Sequence, residues 1–217
     1  MSSPGNVRRL VGFGLALAAA GLYLPAFGRG FVSEDFLILR LFHEAQESGG
    51  FWTLAWEHFT GPWLGISLVS FYRPLSSLFL QVEWALFGTH SGAYWLFHLA
   101  IHLWASWQLA DLLRRLHPEA THGPYGRAVP YAAAGIFALY PLHPNTVVFV
   151  ASFATLWAVA FLLLALRCFV AGRDVGAGLA FVAALASYEQ AAVLPAVFLL
   201  VELLILRRGP RREVPWS

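Results

Sequence analysis

Lysine is absent from this 217-residue chain, so all fourteen basic residues are arginine. Cysteine is reduced to Cys168, which excludes a disulfide framework and a cysteine-based metal site. Lying in an apolar run, it reads as a small buried hydrophobe. Charge of either sign is scarce, at 12% of residues, and a formal net charge of +2 is too small to attract nucleic acid. Missing too are a P-loop, a nucleophile elbow, a zinc-protease helix and a dinucleotide fingerprint, so several common enzyme chemistries have no foothold here.

What fills the chain instead is apolar: 59% of residues are hydrophobic and the mean hydropathy is +0.63. That balance predicts an all-α, polytopic membrane protein, organised as a single membrane domain over 1–217. Arg8 and Arg9 precede a first apolar run, 10–27, long enough to span at about 1.5 Å per residue. Ala26-Phe27-Gly28 offers a signal-peptide cleavage spacing, but the apolar chain that follows favours an uncleaved helix with its arginine end inside. Further spans are expected at 92–113, ending in Arg114-Arg115, at 129–142 with Pro130 near its first turn, and at 147–171 with Arg167 and Arg173 at its end. The polar linker 117–127 then lies on the inner face.

The stretch 175–206 is too long for one span, since thirty-two residues as a single helix would reach about 48 Å against a hydrocarbon core of about 30 Å. It is expected to fold as a hairpin with Ser187-Tyr188-Glu189-Gln190 at the tip, followed by a cytoplasmic tail at 207–217. Six spans with both termini inside place eleven arginines in the cytoplasm and only Arg29, Arg40 and Arg73 outside, in keeping with the positive-inside rule.

Between the first two spans, 28–93 forms a long outer loop rich in aromatic residues. Trp52, Trp56 and Phe59 share one helical face, as an interfacial helix requires, and Gly49-Gly50 and Gly61-Pro62 bracket it. The run 75–87 is helical in period but short, which predicts a helix lying in the outer leaflet and closed by Gly88.

The polar residues are few enough to consider one by one. Glu34-Asp35 stands just beyond the first span, while the turns at His143-Pro144-Asn145 and at 187–190 are fed by short spans and should be recessed. A turn at membrane depth needs protein cover or a watery cavity, so Glu34, Asp35, Arg73, His143 and Glu189 are expected around one outward pocket. His98 and His102 lie four apart on one helix face, and packing and hydrogen bonding explain them more simply than metal or haem ligation. Asp111 and Glu202, near inner helix ends, read as structural.

Several of these segments together carry a resemblance. Tyr72-Arg73-Pro74-Leu75, Ala85-Leu86-Phe87-Gly88, Tyr94 to His102, Leu112 to Leu116, Tyr140-Pro141-Leu142-His143-Pro144 and Ser187-Tyr188-Glu189-Gln190 resemble, in order and spacing, the start of the transmembrane O-mannosyltransferases that carry tetratricopeptide repeats and of their bacterial relatives. The resemblance implies the GT-C membrane glycosyltransferase fold, a polyprenyl-phosphate sugar as donor, mannose in the named family, and a protein or glycan acceptor on the outer face of the cell membrane. It makes Asp35 the candidate catalytic base with Glu34 beside it. Arg73, His143, Glu189 and His102 become candidate substrate-binding residues. Glu34 and Asp35 equally offer hard oxygen ligands for a divalent metal. The chain departs from the pattern where Tyr188 replaces a lysine and where 151–156 lacks an arginine and an aspartate. Such enzymes commonly carry around ten or more spans, so the later helices are expected from a second chain or to be lacking. The alternative is a non-catalytic membrane subunit or small transporter that binds a lipid-linked headgroup; no internal repeat marks a transporter.

Overall fold

A computed structural model describes residues 4–28, 30–32, 34–65, 71–116, 128–140, 147 and 149–206. Described residues form nine α-helices and no strands: α1 (Pro4–Tyr23), α2 (Glu34–Glu47), α3 (Phe51–Thr60), α4 (Pro74–Phe87), α5 (Ser91–Leu116), α6 (Val129–Leu139), α7 (Phe153–Val170), α8 (Asp174–Ser187) and α9 (Leu194–Leu204). The expected all-α class holds. The linker 117–127, the His143 turn and the tail 207–217 lie outside the described residues.

Among the described residues one helix, α7, is long and apolar enough to cross a membrane. Shorter apolar helices occupy Phe13–Tyr23, Val129–Leu139 and Asp174–Ser187. α7 packs between α5 and α8, α6 lies against α5 and α1, and α9 touches α7. Small residues suit a close α7–α8 approach: Ala158 and Ala165 share a buried face of α7, and Ala177, Ala180 and Ala184 are buried along α8. The opposite side of α8 exposes Val175, Leu179 and Val182, spaced as one helical stripe.

The break expected in 175–206 falls where the polar tetrad begins. Tyr188 is extended (φ −157°, ψ 128°), its N–H caps the Ala184 carbonyl, and a short 3-10 turn, Glu189–Val193, leads to Pro195 in the first turn of α9. Gly88 ends α4 as expected, with a φ of 52° that a side chain would disfavour. α3 also matches its expected face: Trp52 and Trp56 are exposed, whereas Leu54, Ala55 and His58 point inward.

Two parts of the long loop are organised differently from expectation. Glu34-Asp35 opens a regular helix, α2, where carboxylates in the first turn complement the helix dipole. α4 is a packed element that touches α2, α3, α5, α7 and α8. Its polar side chains Ser76, Ser77, Gln81 and Glu83 are buried, and Ser76, Gln81 and Glu83 reach hydrogen-bond partners on other elements. Gln81 bridges His58 Nε2 (2.9 Å) and the Phe51 carbonyl (2.8 Å), which joins α3 to α4.

At the far end of α5, Asp111 accepts hydrogen bonds from Arg115 (2.8 Å) and Arg167 (3.0 Å), and Arg167 also lies over the Trp107 ring. Arg167, counted from sequence among the eleven cytoplasmic arginines, is buried within this ion-paired cluster.

Candidate functional site

A groove of about 760 Å³ opens between α2, the turn Trp63–Gly65, the segment before α4, the start of α7 and Tyr188. Leu37, Ile38 and Leu41 on α2, with Leu64, Phe71 and Ala154, give it apolar walls; Glu34, Arg40, Glu44 and Arg73 supply charge, and Ser152 and Thr155 add hydroxyls. Leu64 is buried in this wall with a left-handed backbone (φ 50°, ψ 29°), a conformation costly for leucine that persists only where surroundings enforce it.

Arg73 is the best-defined group in the groove. Pro74 follows it and restricts its backbone away from the helical region, so that Arg73 caps α4 rather than continuing it. Its guanidinium lies 4.2 Å from the Phe71 ring centroid and 4.1 Å from that of Tyr188, with Trp63 at 5.9 Å. The edge of the fork donates Nε to Glu189 Oε2 at 2.8 Å and Nη2 to Glu189 Oε1 at 2.6 Å. This is the bidentate geometry in which arginine recognises carboxylate or phosphate. The Arg73 hydrogen bond holds the Glu189 carboxyl below its ordinary range.

Two further bonds fix this alignment. Ser76 Oγ donates to the Ser187 carbonyl at 2.8 Å, pairing one of the last carbonyls of α8 that the helix leaves without a partner. Tyr72 OH donates to the Phe59 carbonyl at 3.2 Å, tying the approach to α4 onto the end of α3.

The sequence-derived site residues separate into groups. Glu34 is exposed and lines the groove, whereas Asp35 is buried, accepts the Val32 N–H at 3.1 Å and does not reach the groove wall. Consecutive helical residues point about 100° apart, which is why the acidic pair divides. Arg73 and Glu189 meet in an ion pair at the groove's edge, while His143 lies outside the described residues. His102 is buried away from the groove, with Nε2 3.2 Å from the Ala138 carbonyl and its ring stacked on Phe137. Among the described residues no three His, Cys, Asp or Glu side chains gather as a metal cluster, and the divided acidic pair does not fit a shared ion.

Sequence reasoning missed Tyr188, Phe71, Trp63 and Leu64. For Tyr188 a signal existed: an aromatic residue just before Glu189 echoes the Phe71-Tyr72 that precedes Arg73, and stacked arginine favours such flanks. Another buried polar contact lies deeper, where His98 Nε2 is 2.9 Å from Glu83 Oε2 and the imidazole stacks on Phe153. Among the described residues, Glu83 Oε1 and His98 Nδ1 have no hydrogen-bond partner.

No family model matches the chain, and neither a curated protein nor a solved structure is detectably similar to it. Among the described residues, fold and groove define an all-helical protein with one helix long and apolar enough to cross a membrane and an amphipathic groove ending at a clamped arginine.

Proposed function

We propose that this chain is a multi-pass membrane protein of the GT-C glycosyltransferase type, or a part of one, that takes a sugar from a polyprenyl-phosphate donor. The observation that carries this reading is the groove itself, whose apolar walls suit an isoprenoid chain and whose Arg73 suits its phosphate. Multi-pass insertion draws support from apolar stripes left uncovered on short helices: Val175, Leu179 and Val182 on α8, Leu199, Leu200, Leu203 and Leu204 on α9, and Ile136 on α6. Water disfavours such stripes and lipid accepts them.

In the transfer, Glu34 is the carboxylate placed to take the acceptor hydroxyl's proton, since Asp35 is committed to Val32. Arg73 stabilises the phosphate as it departs from the anomeric carbon. The six-span arrangement, with the groove on the outer face, remains the topology that the arginine distribution supports. Reconstituted full-length chain should consume radiolabelled polyprenyl-phosphate mannose or glucose, with loss in R73Q. Binding of the donor without turnover would favour a non-catalytic headgroup-binding subunit, and absence of binding would end both readings.

A further inference from the structure

The two cations of the groove are each already paired with a carboxylate of the protein: Arg40 Nε lies 2.7 Å from Glu44, and Arg73 is forked onto Glu189. Two arginines against Glu34, Glu44 and Glu189 leave the groove and its edge one negative charge in excess. An anion entering this arrangement meets net repulsion unless a carboxylate leaves. The partners of the Arg73 pair differ in how easily they move. The Arg73 side chain is 12% exposed and held between two aromatic rings, whereas the Glu189 side chain is 46% exposed on a short turn. Glu189 can swing into water at small cost, and Arg73 cannot follow it. Arg73 Nη1 makes no hydrogen bond among the described residues, so one donor of the fork already stands open.

We propose that Glu189 is a resident counter-ion that occupies the anion seat of Arg73 and yields it to the phosphate of an apolar-tailed phosphate ester. This rests on the donor class proposed above but assigns Glu189 the opposite role from a substrate contact: it competes with the ligand. Carboxylate and phosphate present similarly spaced oxygens to the guanidinium fork, so one can replace the other without rebuilding the site. The groove stays electrically satisfied while empty, and its arginine becomes available only to an anion that also fills the apolar walls.

Binding of undecaprenyl phosphate, phosphatidylglycerol and inorganic phosphate to the full chain in nanodiscs, followed in wild type, E189Q, E189D and R73Q, tests the exchange. E189Q should tighten undecaprenyl phosphate about tenfold, and R73Q should lose binding with or without E189Q. E189D keeps the charge, withdraws it by one methylene, and should tighten binding by a smaller factor; it carries the test if E189Q fails to fold. Tightening confined to undecaprenyl phosphate assigns the seat to the isoprenoid ester; equal tightening of phosphatidylglycerol or inorganic phosphate supports exchange with a bilayer lipid or a soluble anion. Unchanged or weaker binding in folded E189Q or E189D overturns the proposal, as does R73Q binding like wild type. Sugar transfer is measured separately on the same variants. Tightening without transfer keeps the counter-ion and retires the transferase, and transfer without tightening does the reverse.

Discussion

Glu34 and Asp35 are neighbours of like chemistry, yet the first turn of α2 exposes one to the groove and buries the other against the chain leading in. Their substitutions should therefore register in different assays. In the proposed transfer, E34Q should lower turnover roughly 10² to 10⁴-fold, the usual worth of a positioned proton acceptor, with little change in melting temperature. D35A should instead destabilise by about 0.5–2 kcal/mol through the lost contact at the helix start, as read by thermal unfolding. A turnover loss in D35N exceeding that in E34Q would return the base to Asp35. The Arg73–Glu189 pair has its own signature. Because the folded state holds the Glu189 carboxyl below its ordinary value, its contribution is complete above the unfolded value and fades as pH falls through the folded one. The melting difference between wild type and E189Q should thus be flat from pH 7 to about 5 and shrink below that. Its size, screened at a half-exposed site, should stay within about 1 kcal/mol.

At the scale of the helices, α4 and α5 are joined by the buried Glu83–His98 contact. Removing one partner strands the other in an apolar interior, so E83A or H98A should each cost about 1–3 kcal/mol. An E83L/H98L double substitution that keeps volume should cost less than the sum of the singles, which thermal or denaturant unfolding of the four proteins would reveal. Such elements also show where the sequence was readable. Gly88 ending α4, the outward face of Trp52 and Trp56, and the break at Tyr188 all follow from residues within a turn or two of each other. α2 was missed because its charges mask its period, and the division of its acidic pair depends on a helical register that only packing reveals. α4 looked like a surface helix because its buried polar groups find partners on α3, α5 and α8, up to 111 residues away. Tyr188 left a fainter trace, an aromatic neighbour before Glu189, while its place on the Arg73 face depends on the distant contact of α4 with α8.

The molecule as a whole leaves apolar stripes uncovered on α8 and α9 and an aromatic face on α3. In bilayers containing brominated lipids, fluorescence of Trp52 and Trp56 should be quenched most by bromines near the headgroups, as an interfacial placement requires. With Cys168 replaced by alanine, single cysteines at Ser48, Gly123 and Ser217 report orientation. Impermeant reagent should label only the first in intact cells. Labelling at Gly123 alone would invert the topology and put the groove on the wrong face for an outward transferase.

The Ser76–Ser187 bond ties the start of α4 to the end of α8 beside the Arg73–Glu189 pair. If Glu189 gives way, the tether prevents the two helix ends from parting, so what moves is a side chain rotating about its own bonds. Such rotations in exposed residues take picoseconds to nanoseconds, far faster than the microseconds to milliseconds of a hinged lid. Entry to the groove should then be limited by diffusion of the lipid in the plane of the membrane, with no slow opening step. Stopped-flow binding should show a rate that rises linearly with ligand and no plateau, whereas S76A, which cuts the tether, should introduce one.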